Sequence, residues 1–325
     1  MKDKKELNEL HETLNEITKK FGDEAIMFLS DDDVPDNIET FSSGSYLLNE
    51  ALGIGGYPKG RIIEIFGPES SGKTTLCLHA IAEIQKAGGV AAFIDAEHSL
   101  DPVYARNVGV DTKNLLMSQP DSGEQAMQIV DYLAKAGTID LIVVDSVAAL
   151  VPEAELNGEM QDNQIGLQAR LMSKALRKIT GSLNKNKTTI IFVNQIREKI
   201  GVMFGNPETT PGGRALKFYS SIRIEVRKST SIVEGRDITG NELKIKVVKN
   251  KLAAPFKSLT TDIIFGYGID NVGELIELAV QKGVIDKKGA WYSYKGNNIA
   301  QGKKTLRDLL INNPELKQEI EDMLF

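Results

Sequence analysis

Four short, almost unbroken apolar runs constrain this chain more than any other feature. They are Arg61-Ile-Ile-Glu-Ile-Phe66, Val90-Ala-Ala-Phe-Ile94, Leu141-Ile-Val-Val144 and Thr188-Thr-Ile-Ile-Phe-Val193. Helical spacing separates them at Thr74 to Ala87, Gly123 to Ala136 and Leu167 to Leu183. A strand apolar on both faces needs cover on both faces, so the alternation predicts an α/β fold with a mostly parallel central sheet covered by helices. Residues 218–228 and 242–249 alternate with period two and have no helix between them, which predicts antiparallel edge strands. Leu7, Leu10, Leu14, Ile17 and Phe21 form one apolar stripe of a helix over 5–21, and Asp31–Asp33 with Pro35 separates it from the remainder of the chain. Past Gly268 the pattern is helical and polar, with Trp291 and Tyr292. The expected division is 1–35, a core over 36–269, and a small α+β domain over 270–325.

With 325 residues, 41% hydrophobic and 26% charged, the chain is ordinary globular material, which excludes wholesale disorder. No apolar run approaches the ~18–20 residues that cross a bilayer, so no membrane partner is expected. The charged start MKDKKELNELHETLNE has no secretory core. Cys77 is the single cysteine and suits a reducing, cytoplasmic compartment. Three histidines are too few for a Cys/His zinc site. Charge is strongly segregated: residues 1–163 carry −17, residues 164–260 carry +13, and the remainder −2. A basic block within an acidic chain points to a polyanion surface.

Gly67-Pro68-Glu69-Ser70-Ser71-Gly72-Lys73-Thr74 lies between a strand and a helix and fits G-x-x-x-x-G-K-[ST]. Its glycines let backbone N–H groups turn inward at phosphate oxygens, and Thr75 continues the helix whose positive dipole end adds to the site. Lys73 is placed for the β- and γ-phosphates of ATP, and the Thr74 hydroxyl for Mg²⁺. Asp145, ending LIVVD, supplies the carboxylate of the Mg²⁺ shell. Glu97 and Gln195 follow strand ends and therefore face the same ligand crevice. Glu97 is placed to polarise an attacking water, whereas Asp95 or Asp101 in the same stretch could simply cap a helix. Cys77 reads as a small buried hydrophobe.

Two stretches break the strand–helix rhythm in the basic block, 157–166 and 198–213. The second carries Ile200, Val202, Met203 and Phe204 among four glycines and two prolines. Arg170, Arg177, Arg197, Lys199 and Arg214 flank these loops. Cations for the phosphates and apolar side chains for the bases suit single-stranded DNA. The alternative is an apolar loop tucked onto its own core.

GPESSGKTT, FIDAEHSLDPVYAR, LIVVDSVAALVP, IFVNQIREKIGVMFGNPETTPGGRALKFY and KVVKNKLAAPFK together resemble the bacterial RecA recombinase family, in order and spacing, from about residue 5 almost to the end. The resemblance implies a P-loop NTPase core of RecA type with an N-terminal polymerisation arm. It implies a DNA-dependent ATPase that forms helical filaments on single-stranded DNA and pairs it with a homologous duplex in recombinational repair. It also implies stimulated self-cleavage of a LexA-type repressor in the SOS response. By position, Glu97 activates water and Gln195 links the γ-phosphate to DNA. Asp101 and Tyr104 resemble adenine contacts. Ile165 and the 198–213 segment, with Gly212 and Gly213, resemble the two DNA loops. Lys249 and Lys251 match lysines that reach the ATP of the adjacent subunit, and Lys217 and Phe218 a pair that transmits state across the interface. Arg227, Lys228, Lys244 and Lys246 resemble a secondary DNA site. The core motifs alone would also suit a helicase-like or kinase-like ATPase without a recombination filament, or a DNA-coating protein that keeps nucleotide only as structure.

Overall fold

The structure is a computed structural model that describes residues 4–22, 25–26, 38–159, 166–198, 205 and 207–325. Ile165, Lys199, Ile200 and Phe204, and with them parts of both expected DNA loops, lie outside the described residues. The chain divides into two compact units, 1–38 and 39–325. The first contains helix α1 (Lys4–Phe21), where the apolar stripe predicts it; Glu6 in its first turn and Lys19 and Lys20 in its last complement the helix dipole.

The second unit begins with β1 (Thr40–Phe41), α2 (Tyr46–Leu52) and β2 (Tyr57–Pro58). It continues through β3 (Ile62–Gly67), α3 (Lys73–Lys86), β4 (Ala91–Asp95), α4 (Pro102–Val108), β5 (Leu116–Ser118), α5 (Gly123–Ala136) and β6 (Leu141–Asp145). A short turn of 3₁₀ helix (Val147–Ala149), α6 (Glu153–Leu156), α7 (Leu167–Asn186), β7 (Thr189–Gln195), β8 (Arg197–Glu198), β9 (Glu208–Thr209) and α8 (Ala215–Tyr219) come next. The long strands β10 (Ile222–Glu234) and β11 (Asp237–Asn250) lead to β12 (Ser258–Ile264) and β13 (Gly268–Ile269). The last segment holds α9 (Asn271–Gln281), a small antiparallel sheet of β14 (Asp286–Lys288), β15 (Trp291–Tyr294) and β16 (Asn297–Gln301), then α10 (Lys303–Asn312) and α11 (Pro314–Leu324).

Among the described residues the main sheet runs β13-β12-β11-β10-β3-β7-β6-β4-β5. The strands from β10 through β5 are parallel, and β10 to β13 pair antiparallel. Successive residues point to opposite faces. Ile63 and Ile65 pack with Leu76, Leu78 and Ile81 of α3, whereas Ile62 and Phe192 pack with Val130 of α5 and Met172 and Leu176 of α7. The apolar runs are buried on both sides, as their composition requires. A third cluster, including Leu275, Tyr292, Leu306 and Ile320, forms the core of the C-terminal segment.

Neither expected antiparallel edge strand is an edge: 242–249 belongs to β11, which is antiparallel but lies between β10 and β12, and 218–228 is corrected in two respects. Residues 215–219 are helical, and β10 lies inside the sheet, parallel to β3 on one side and antiparallel to β11 on the other. Its period-two pattern reflects burial of Ile222, Ile224 and Val226 under α3, and alternation of this kind carries no information about the direction of the neighbour.

Buried polar side chains fix how these layers meet. Glu274 of α9 accepts hydrogen bonds from Ser45 Oγ (2.8 Å), Thr261 Oγ1 (2.5 Å) and the Leu47 N–H (3.3 Å), tying α2 and β12 to the C-terminal segment. Burial raises its carboxyl above the ordinary range although all three donors oppose that. His79 of α3 accepts the Ile269 N–H at Nε2 (2.8 Å), and burial pushes its pKa down to about 4. The unfolded chain therefore takes up the proton first on acidification, and the His79 contribution is lost as the pH falls from about 6.5 towards 4. Asp145 and Glu274, raised by burial, act with the opposite sign, so a difference measurement isolates the histidine. Between pH 6.5 and 4, wild type is expected to lose about 3 kcal/mol relative to His79→Gln, which keeps an acceptor for Ile269 but does not titrate. Urea unfolding of both proteins across that range checks this.

Candidate active site

The phosphate-binding loop leaves the end of β3 at Gly67 and enters α3 at Lys73. A Cβ on Gly67 would stand 2.0 Å from the Val226 carbonyl oxygen, so only glycine allows β10 to pass this closely. Lys73 Nζ donates to the Pro68 carbonyl at 2.6 Å across the loop. Burial pulls its pKa below the ordinary lysine value, and Asp145 and Glu97 oppose that. Thr74 Oγ1 donates to Asp145 Oδ2 at 2.5 Å. Burial pushes Asp145 up to about 6 against that hydrogen bond, while nearby Glu97 adds to the rise.

Parallel register brings the remaining groups to this edge. Gly67 pairs with Gln195, and Asp95 with Asp145. The Ala96 and Glu97 N–H groups both donate to the Asp145 carbonyl, at 2.8 and 3.3 Å, which places Glu97 beside the end of β6. Glu97 Oε1 accepts from Gln195 Nε2 at 2.9 Å and from Ser146 Oγ. Ser146 belongs to no part of the phosphate-loop motif and is one of the residues that sequence reasoning missed; its position directly after LIVVD was the signal.

A cavity of about 260 Å³ opens beside the loop, lined by Ser70 to Thr75, Tyr104, Asn241, Leu243, Ile263 and Phe265. Tyr104 OH lies 2.9 Å from Thr75 Oγ1, and burial raises its pKa. Asp101 caps α4, its Oδ1 accepting the Val103 N–H at 2.8 Å. Asp95 accepts from the Ser99 and Leu100 N–H groups and from Gln119. Asn241 of β11, Ile263 of β12 and Phe265 in the turn after β12 lie far along the chain, and no local motif marked them.

Lys249 and Lys251 converge elsewhere. Lys249 Nζ donates to the Lys217 carbonyl (2.6 Å) and to the Phe218 carbonyl (3.2 Å), and Lys251 Nζ to the Phe218 carbonyl (3.1 Å). Four residues whose expected roles concern a neighbouring subunit thus meet at one point, with the Phe218 side chain 70% exposed. Lys251 stands just beyond β11, and its N–H donates to the Ser221 carbonyl. Ile222 is level with Ile63, so this cluster faces the sheet edge opposite Gly67, four residues or about 13 Å along β3 from the phosphate loop.

Of the expected DNA contacts, Arg170 and Arg177 are exposed on α7, seven residues apart and so on one face, with Lys174 between them. Arg197 is exposed on β8. Lys244 and Lys246 are exposed on β11, alternating with buried Leu243, Ile245 and Val247, and Lys228 is exposed on β10. Arg227, opposite Lys244, is already engaged by carboxylates: Nη2 pairs with Glu208 and, at 2.6 Å, with Glu225. The hydrogen bond to Glu208 and the one to Glu225 hold its pKa above the ordinary arginine value. Gly212 takes φ +82°, and a Cβ there would stand 2.9 Å from Val147 Cγ1; at Gly213 it would stand 2.7 Å from Ala169 Cβ.

A glycine-bounded phosphate loop at the end of a buried parallel strand, with a buried Thr–Asp pair and a hydrogen-bonded glutamate beside it, defines a P-loop nucleoside triphosphatase. Comparison with known proteins narrows the class. The model of the RecA N-terminal domain matches residues 8–270, and that of the RecA C-terminal domain residues 273–324. Proteins named Protein RecA are similar throughout: that of Mycoplasmopsis pulmonis is 70% identical over 308 residues, 95% of this chain and 91% of its own. That of Mycoplasma mobile is 67% identical over 313 residues, 96% of this chain and 94% of its own. That of Heliobacterium modesticaldum is 59% identical over 318 residues, 98% and 92% of the two chains. The chain belongs to the RecA family. It is a DNA-dependent ATPase and a recombinase of DNA repair, and it binds ATP and DNA and self-associates. The helicase-like and kinase-like alternative is thereby displaced. Among the described residues no helix is long and apolar enough to cross a membrane.

The close fit at Gly212 has a measurable cost. Gly212→Ala combines left-handed strain with overpacking and is expected to destabilise by about 2–3 kcal/mol. Gly205, at φ +87° with nothing among the described residues within 4 Å of its Cβ position, should cost only the strain, about 1 kcal/mol, when changed to alanine. Urea midpoints of the two variants give the comparison.

Proposed function

We propose that this chain assembles as a helical filament on single-stranded DNA with ATP and Mg²⁺, pairs that strand with a homologous duplex, and completes each ATPase site between two subunits. The observation that carries this reading is the separation of two half-sites. Lys73, Thr74, Asp145, Glu97 and Gln195 gather at one edge of the sheet, and Lys249 and Lys251 gather at the other.

Thr74 and Asp145 offer two hard oxygens in contact, a donor set that suits Mg²⁺. When bound, Mg²⁺ would neutralise charge building on the phosphates. Within the chain, Lys73 exchanges the Pro68 carbonyl for phosphate oxygens, and Tyr104 with Phe265 bounds the space for the base. Glu97, with Oε1 held by Ser146 and Gln195, presents its other oxygen to a water. Gln195 is poised to leave Glu97 for the γ-phosphate and so to report it to the segment after β7. Lys249 and Lys251, beyond reach of their own phosphate loop, supply the second and third cations to a neighbour. Arg170, Arg177, Arg197 and the 198–213 loop hold the DNA strand, and Arg227, Lys228, Lys244 and Lys246 a second one. The helix in 1–35 serves polymerisation, 36–269 the ATPase and DNA loops, and 270–325 a separate small domain. Cytoplasmic action, with a LexA-type repressor as a further partner, completes the proposal.

ATP turnover with and without single-stranded DNA, alongside electron micrographs of the mixture, is the direct test; a wild type that neither responds to DNA nor forms filaments would sink the reading. Glu97→Gln should bind ATP and form filaments yet turn over about 10²–10³-fold more slowly. Lys249→Ala mixed with Lys73→Ala on one DNA should recover activity at junctions that join a sound loop to sound lysines, and no recovery in filaments containing both proteins would exclude sharing. Because Asp145 holds its proton up to about pH 6, Mg²⁺-dependent ATP affinity should fall as the pH drops through that value. Asp145→Asn should flatten the profile, which titration of a fluorescent nucleotide reads.

A further inference from the structure

Gln168, the second residue of α7, belongs to no recognised motif, yet its side chain joins three segments. Its Nε2 donates to the Val147 carbonyl (2.8 Å) and the Leu150 carbonyl (3.2 Å), and its Oε1 accepts the Gly212 N–H (3.1 Å). One amide therefore closes the turn after Ser146 and fastens it to the segment after β9. A second amide does the equivalent on the other side. Asn194 Nδ2 donates to the Pro211 carbonyl (3.1 Å), while its Oδ1 accepts the Gln195 N–H (3.0 Å).

Pro211 and Gly212 are thus tied to Gln195 through Asn194 and to the Ser146–Leu150 turn through Gln168. Among the described residues, Gln195 and Ser146 are the two side chains that donate to Glu97 Oε1. Gly212 and Val147 pack too closely for a Cβ at 212, so the segment and the turn are in direct contact. We propose that Gln168 is a positioning residue that passes the placement of the 207–213 segment through the Ser146–Leu150 turn to Glu97, as a second route beside Gln195. The proposal rests on the function proposed for this site, in which the segment ends a DNA loop and Glu97 activates water.

The test measures ATP turnover with and without single-stranded DNA, together with DNA affinity by fluorescence anisotropy. Gln168→Met preserves length and removes all three hydrogen bonds. Gln168→Glu keeps the acceptor for Gly212 but offers no amide to the two carbonyls. Both should retain DNA affinity, KM for ATP and DNA-free turnover within about twofold, and lose about 5–30-fold of the DNA-stimulated kcat. In a Ser146→Ala background, Gln168→Met should remove no further stimulation, since both changes cut the same route. Stimulation like that of wild type, a loss that tracks weakened DNA binding, or additive effects of the two changes would each overturn the proposal. Absence of DNA stimulation in wild type itself would instead overturn the underlying function. Urea midpoints confirm that the compared variants are folded.

Discussion

The parallel pairing of β3, β7, β6 and β4 is the constraint on which the rest of the molecule depends. Because each strand is buried on both faces, its register cannot slip by one residue without exchanging the side chains under α3 for those under α5 and α7. That register sets Gly67 against Gln195 and Asp95 against Asp145. All four strands run the same way, so their carboxyl ends share one edge, and the phosphate loop, Glu97, Asp145 and Gln195 emerge there. The chemistry is assembled by the core.

A few buried polar groups make the arrangement specific. Glu64, fully buried in β3, pairs with Arg223 of β10 at 2.5 Å and accepts from Asn194 of β7 at 3.0 Å, while Arg223 also lies 4.6 Å over the Phe66 ring. Such a pair gains little net stability once desolvation is subtracted, but an alternative pairing of these strands would strand a buried charge. Asn194 therefore has two duties, one to the core through Glu64 and one to the segment after β9 through Pro211. Glu274 plays the corresponding part between α2, β12 and α9.

Charge is distributed less simply than the net values of sequence blocks imply. Within the basic block, Lys178 pairs with Asp131 and Arg223 with Glu64, carboxylates from outside the block that offset part of the +13, while Arg227 pairs with Glu208 and Glu225, which the +13 already counts. Arg170, Lys174 and Arg177 on one face of α7 and the alternating Lys244 and Lys246 of β11 remain exposed. Arg227 reaches a phosphate only by exchanging carboxylate partners. One of these, Glu208, sits on β9, so β10 and the end of the expected loop share an ion pair.

The amino-acid sequence by itself determined the parallel core and the phosphate loop with Lys73 and Thr74, and it marked Asp145, Glu97 and Gln195 as candidates at strand ends, because these depend on local periodicity and on motifs contiguous along the chain. It also marked Lys249 and Lys251, though only through resemblance, since two lysines at a strand end read equally well as solvated charge. Only the tertiary structure decided that β10 lies inside the sheet and that Asn241, Ile263 and Phe265 wall the nucleotide cavity. It likewise decided that Lys249 and Lys251 meet Phe218 far from their own loop, and that Gln168 joins Gly212 to the turn after Ser146. Each of these is a contact between residues tens to hundreds of positions apart, chosen by sheet order and strand direction. Alternation along one strand records which face is buried; it carries nothing about which distant strand will lie alongside.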